Sequence, residues 1–375
     1  MTHRSGRAQN TRGPLKVVAY AVAILLVAAC GSSSTAARQS PGASPSASDS
    51  TSPAPSPSTP PVPVAHYGVL VAVGNGDTYS VSLVDTTGKV VASATPSNPA
   101  AVTCGDSAAA LLPQPVSTSS TRVYFLDQSG NVNFLSPNGV TGVSTHVPTG
   151  ASIRSMFTVS PDDQRIAVVE NTYSAGGATT VLYIEDLNGG TNHVKVFSET
   201  GAYTLWPIGW HGTGSLVVAK VPSCTQGGGP TCCGPQELHV VDPATAGRKF
   251  TLGGSSCIPV GSATPGGALC ENSAFNQVHV LSWTGATVQT YPIQGPTPAY
   301  LSPDGTRVAL IVDNATTFAG AKQTLDLLAC GWIDDTHVLA GGDAQLQPRI
   351  GDVATGNIVP VSAQGVCGGT VPGGL

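Results

Sequence analysis

No run of twenty apolar residues occurs in this 375-residue chain. Crossing a bilayer as a helix takes roughly 20, so a permanent transmembrane helix is the weaker reading of its longest apolar stretch, Val17 to Ala29. Charge is also scarce, with Asp, Glu, Lys and Arg together at 10%. Almost no segment carries apolar residues at the 3.6-residue spacing of an amphipathic helix, which argues against bundles and against alternating α/β folds. No G-x-S-x-G elbow, Gly-rich phosphate loop or H-E-x-x-H helix is present, so the common hydrolase, nucleotide and metalloprotease motifs are missing. What is abundant is turn chemistry: 45 Gly and 30 Pro.

The N-terminus is the basic part. Arg4, Arg7, Arg12 and Lys16 precede the apolar run with no acid among them, the pattern of a secretory signal peptide. The run ends Leu26-Val27-Ala28-Ala29-Cys30, which resembles the lipobox of bacterial lipoproteins. That resemblance implies cleavage before Cys30 and acylation of its thiol, and two or more acyl chains anchor stably. The alternative is an ordinary small-residue cleavage site with an incidental Cys. Residues 31–63 are almost all Ser, Thr, Pro, Ala and Gly, a composition unable to build a core. Extended at about 3.1 Å per residue, such a tether reaches about 100 Å. The expected organisation is a lipoprotein signal peptide at 1–29, a lipidated N-terminus and tether at 30–63, and a folded domain at 64–375, held on the extracytoplasmic face of the cell membrane. Loss of the first 29 residues leaves 12 Lys and Arg against 21 Asp and Glu, a net charge of −9. Nucleic acid is not an expected partner of that surface.

Eight cysteines remain beyond Cys30: Cys104, Cys224, Cys232, Cys233, Cys257, Cys270, Cys330 and Cys367. An even set in an exported chain points to as many as four disulfides. Cys257 and Cys270 flank the Thr264 to Gly267 turn and are expected to bridge neighbouring strands, Cys330 to hold the C-terminal tail through Cys367, and Cys224 to close its own Gly-rich loop with Cys232 or Cys233, leaving the other for Cys104. These staples are expected to be local or at ring closure, with none across the centre. The competing metal site around Cys224, Cys232 and Cys233 lacks a paired C-x2-C and a nearby His, so no metal or cofactor is expected.

Turns repeat along the rest of the chain. Leu301-Ser302-Pro303-Asp304-Gly305-Thr306-Arg307 followed by Val308 to Ile311 matches Val159 to Val169 nearly position for position. Weaker copies of turn and apolar strand lie at Cys104 to Leu112, Trp210 to Ala219, Thr264 to Cys270 and Ile333 to Gly342. Polar Gly-bearing hairpins stand between them at Leu83 to Val91, Phe125 to Asn133, Ile184 to Asn192, Val240 to Arg248, Leu281 to Gln289 and Ile350 to Ile358. About four antiparallel strands per 40 to 50 residues predict an all-β propeller. Seven blades are preferred: one lacking its first strand near 66–98, four complete, one near 298–328 with no clear second hairpin, and one from about 329 onward. Six result if the short sixth module merges with the last. A β-sandwich matches the strand density but not the period. The Ser-Pro-Asp-Gly turn followed by an apolar strand resembles the repeat of TolB-type, WD-like propellers over roughly residues 66–365, which implies architecture and leaves the ligand open.

Gly351 to Gly356 also resembles the D-x-x-T-G part of the quinoprotein dehydrogenase hairpin, but Pro360 stands where that family has its docking Trp. Asp106, Asp162, Asp304 and Asp334 are the only regularly placed carboxylates, and bonding to local backbone N–H groups accounts for them. His66, His146, His193, His211, His239, His279 and His337 are scattered singly. Two functions follow: a recognition platform for an envelope protein, peptide or glycan, or an extracytoplasmic hydrolase or lyase with a site in the central channel. The unusually long, Cys-rich segment between Val218 and Leu238 favours recognition, since loops on rigid scaffolds often carry contacts.

Overall fold

The computed structural model describes residues 64–73, 76–104, 110–174, 177–224, 234–343 and 345–375. Cys30 and the tether lie outside them, as do Asp106, Cys232 and Cys233. The described chain forms seven four-stranded antiparallel sheets arranged as a seven-bladed β-propeller. Strands are lettered a to d from the axis outward. Blade 1 is Val366–Val371, Tyr67–Val73, Tyr79–Asp85 and Val90–Ala94; blade 2 is Val116–Thr118, Val123–Leu126, Asn131–Leu135 and Thr141–His146. Blade 3 is Ile153–Val159, Arg165–Ser174, Gly177–Asp186 and Val194–Gly201; blade 4 is Tyr203–His211, Ser215–Pro222, Glu237–Val241 and Arg248–Gly253. Blade 5 is Cys257–Thr264, Gly267–Asn272, Gln277–Leu281 and Thr287–Pro292. Blade 6 is Ala299–Leu301, Val308–Val312, Ala315–Phe318 and Thr324–Leu325; blade 7 is Ala329–Trp332, His337–Ala340, Arg349–Asp352 and Ile358–Pro360.

The module that lacks a first strand obtains it from the far end of the chain, where Val366–Val371 pairs with Tyr67–Val73. The short sixth module is a blade in its own right, its c–d hairpin reduced to the pairs Thr316 with Leu325 and Thr317 with Thr324.

The apolar strand b runs are continuous because each strand buries both faces. In blade 2, Val123 and Phe125 pack toward blade 1 beside Val69, Val81 and Leu83. Tyr124 and Leu126, one residue out of phase, pack toward blade 3 beside Phe157, Ile166 and Val168. Ala167 and Val169 then face Leu216 and Val218 of blade 4. The same alternation repeats around the ring, giving one hydrophobic layer per blade interface and no single central core. Each fully buried Val or Leu contributes about 1.5–3 kcal/mol.

The two strong repeats have the same local wiring. Ser160 Oγ donates to Asp162 Oδ1 (2.6 Å) and accepts from Arg165 N (2.9 Å). Ser302 Oγ donates to Asp304 Oδ1 (2.5 Å) and accepts from Arg307 N (3.0 Å). Each arginine then reaches the next blade's a–b turn, Arg165 to the Thr213 carbonyl and Arg307 Nη1 to the Asp335 carbonyl at 2.7 Å. An indole clamps each of these same seams from the other side: Trp210 Nε1 donates to Thr158 O and Trp332 Nε1 to Tyr300 O.

Two sequence-level placements need correction. The a–b turn of blade 2 is Ser119 to Arg122 and not the Cys104 to Leu112 copy, whose residues 105–109 lie outside the described ones; Ser119 Oγ accepts from the amides of Thr121 and Arg122 (both 3.2 Å). A serine hydroxyl replaces the Asp carboxylate there, so the turn lacks its Asp and Gly signal. The Phe125 to Asn133 hairpin joins strands b and c, while the other five of its kind join c and d. Turn residues specify a reversal, not its place in the blade.

Candidate functional site

Antiparallel connectivity sorts the loops onto two faces. The a–b and c–d turns, rich in Asp, share one face; the b–c loops and blade-to-blade connections share the other. All three described disulfides lie toward the second, hereafter the disulfide face. Cys257–Cys270 joins strands a and b of blade 5, and Cys330–Cys367 joins the a strands of blades 7 and 1 at the ring closure, both as expected from sequence. Cys224 departs from expectation: it bonds Cys104, 120 residues away, instead of closing its own loop. This staple is not local, because it ties the connection between blades 1 and 2 to blade 4.

Along the axis runs a cavity of about 630 Å³, lined by the a strands of all seven blades. Its walls are Pro, Gly and apolar side chains interrupted by the hydroxyls of Ser117, Thr118, Thr158, Ser262 and Thr264. Among the described lining residues none is Asp, Glu, Lys or Arg, and His66 is the one titratable imidazole.

A strap borders each mouth. On the disulfide face, residues 100–104 leave blade 1 and lie against blade 3, and residues 110–114 lie against blade 4. Arg154 Nη1 donates to Ala100 O (3.2 Å), and Val102 and Cys104 pack on Tyr173 and Ala178. Leu111 N donates to Ser223 O (3.1 Å), and Leu111 O accepts from Trp206 Nε1 (3.3 Å). The chain then returns to blade 2 past Pro113 and Gln114, which line the cavity.

On the Asp-turn face, Pro372–Leu375 continues from the last strand across blades 2, 3 and 4. Gly373 N donates to Ser119 O (2.7 Å), Leu375 N to Trp210 O (2.8 Å), and Gly212 N to Leu375 O (3.1 Å). His211 Nδ1 lies 3.1 Å from the same Leu375 oxygen and stacks on Trp283, ring centroids 5.0 Å apart. The Leu375 side chain fills the space left by Gly209, where a Cβ would stand 2.8 Å from it. Nothing in the sequence pattern marks Leu111, Gln114, Gly209 or Leu375, because they are brought together only by ring closure.

Among the described residues, the sequence-predicted carboxylates Asp162, Asp304 and Asp334 are not brought together. Asp162 and Asp304 cap their own turns, and Asp334 accepts from Thr336 N (2.7 Å), His337 N (2.8 Å) and the His337 ring (2.9 Å). Partial burial pushes the Asp304 carboxyl up, but the Ser302 hydroxyl and the amide and hydroxyl of Thr306 outweigh it and hold the group below its ordinary value. Burial acts likewise on Asp334, outweighed by the Thr336 amide and the His337 ring. Two other histidines pair separately, His193 with Glu185 and His239 with Glu237 (both 2.9 Å). Burial is the main reason the His239 ring is shifted down. Among the described residues no three His, Cys, Asp or Glu side chains are grouped to hold a metal ion. Asp352 binds the amides of Ala354 and Thr355 and the Thr355 hydroxyl, a hairpin turn.

No protein-family model matches the chain, and no curated protein matches it. Solved structures are similar to the chain at low identity and low TM-score. Hsv2 of Kluyveromyces lactis is 12% identical over 82% of this chain and 96% of its own, with a TM-score of 0.41. A putative TolB from Agrobacterium tumefaciens is 15% identical over 66% of this chain and 79% of its own, TM-score 0.36. Prolyl oligopeptidase B from Galerina marginata is 9% identical over 76% of this chain, TM-score 0.40, and the match spans only 38% of that enzyme.

Proposed function

We propose that this protein is a lipid-anchored recognition platform of the cell envelope, held through acylated Cys30 on the extracytoplasmic side of the membrane, with the disulfide face of its propeller contacting another envelope component. The observation that carries the reading is the asymmetry of the two faces. Val64 to His66 lead into strand b of blade 1 at the Asp-turn face, so the tether joins there. The opposite face carries the irregular connections, the disulfides and exposed apolar side chains at Val73 (83% exposed), Leu346 (46%) and Val366 (54%). Gly342 bonds Gly365 in both directions (2.8 Å), which brings the loop bearing Leu346 beside Val366. Apolar side chains clustered on a rigid rim are a common contact surface.

Two measurements test this. Cys30→Ala is expected to move the protein from the membrane and detergent phase to the soluble fraction; retention in membranes overturns the anchor. A photo-crosslinking residue placed at Val73, Leu346 or Val366 is expected to give discrete adducts in cells, while Thr306 and Thr355 on the Asp-turn face give none. Equal labelling from both faces overturns the platform reading. Turnover of a peptide, sugar or lactone by the purified protein would replace it with the enzymatic one.

A further inference from the structure

We propose that Pro372–Leu375 is an intrachain occupant of a peptide-binding site: the Asp-turn mouth of the channel, at blades 2 to 4, accepts an extended peptide of small residues with uncharged side chains that places an aliphatic one against Gly209. The segment is held as a bound peptide would be. Its main chain is recognised by main chain, with Gly373 N on Ser119 O and Leu375 bonded through both its N–H and its carbonyl to Trp210 and Gly212. Main-chain pairing gives affinity without sequence dependence, and pockets for side chains give the selection.

Selection here is steric and apolar. A Cβ on Gly373 would meet Thr118 Oγ1 at 2.1 Å, and one on Gly374 would meet Pro161 at 2.8 Å, so only small residues pass between blades 2 and 3. The Leu375 side chain then packs on the layer between blades 4 and 5 that contains Val217, Ala268 and Trp283. This seat exists because position 209 has no side chain. It lies at the register shift between Pro207 and Gly209, a bulge that re-aims the strand at a barrel or sheet rim. With no Asp, Glu, Lys or Arg among the described lining residues, charged side chains of a ligand would lose their hydration without a counter-charge. No disulfide lies beyond Cys367, so these four residues can leave without breaking a covalent bond.

The test uses fluorescein-labelled acetyl-Val-Pro-Gly-Gly-Leu-amide and three full-length proteins. Leu375→Ala is expected to vacate the seat and bind the peptide saturably, at least about tenfold more tightly than wild type, where the intrachain segment competes at millimolar effective concentration. Adding Gly209→Leu to Leu375→Ala is expected to abolish that binding, with near-UV circular dichroism showing that the fold is kept. A peptide ending in Asp in place of Leu is expected not to bind. No saturable binding to folded Leu375→Ala, equal binding to wild type and variant, indifference to Gly209→Leu, or binding of an uncharged glycan oligomer in place of the peptide would each overturn the proposal. This inference concerns the channel mouth and not the disulfide face, so peptide binding and cellular cross-linking succeed or fail independently.

Discussion

The two straps both lie against blades 3 and 4 and are built in opposite ways. At the disulfide face, residues 100–104 and 110–114 are locked by Cys104–Cys224 and by apolar packing on blade 3. At the Asp-turn face, Pro372–Leu375 is held by main-chain hydrogen bonds and one leucine. A covalent cross-link lowers the entropy of the unfolded chain and holds that strap in place. Hydrogen bonds that water can replace add only about 0.5–1.5 kcal/mol each, so the other strap is the one that can detach. The difference assigns permanence to one face and exchange to the other.

The largest expected effect comes from removing the permanent element. Cys104→Ser with Cys224→Ser opens a loop of 120 residues and should cost about 4–5 kcal/mol on the chain-entropy model. The matching change at Cys257 and Cys270, 13 residues apart, should cost about 3 kcal/mol. Urea denaturation under non-reducing conditions ranks the two; the reverse order would mean that the strap is loose in the native state.

Leu375→Ala addresses the exchangeable strap. Its side chain is only partly buried, so the loss should fall below the 2–5 kcal/mol of a core leucine, at about 1–2 kcal/mol. A loss above that range in thermal unfolding would make the segment part of the core and remove the contrast between the mouths.

Acid distinguishes the faces next. Because the folded-state value of Asp304 is depressed, its contribution is complete above the ordinary carboxylate value of 3.8 and is lost as pH falls from there through the depressed value. Asp304→Asn should cost about 1 kcal/mol at neutral pH and flatten part of the acid limb of the stability curve. An unchanged acid limb would show that the turn carboxylate titrates as it does in the unfolded chain. The smallest effect belongs to the exposed rim: Val73→Ser and Leu346→Ser should shift stability by no more than about 0.5 kcal/mol while abolishing cross-links from a probe at Val366. A large loss of stability would show that these side chains are packed, not presented.

Much of the Asp-turn face was legible before the fold was known, since Ser160 and Ser302 sit in turns whose side chains bond residues two to five positions away. Local bonds leave a local pattern. The Ser119 turn escaped notice because a hydroxyl does the work of a carboxylate there. The shared clamp of Trp210 and Trp332 escaped because an indole that donates to a neighbouring blade has no sequence neighbour to mark it. Cys104 and Cys224 were recognised as disulfide cysteines but not as partners, as spacing cannot fix connectivity.

Sequence alone determined the repeating reversals, the doubly buried apolar strands, and hence a ring of sheets with an unfinished first blade. Those features depend on conformational preferences and side-chain periods that act within a few residues. Only the tertiary structure decided that Val366–Val371 completes that blade, that Cys104 meets Cys224, and that Leu375 rests on Gly209. These contacts join residues more than a hundred positions apart, and what brings them within bonding distance is the closure of the seven-bladed ring.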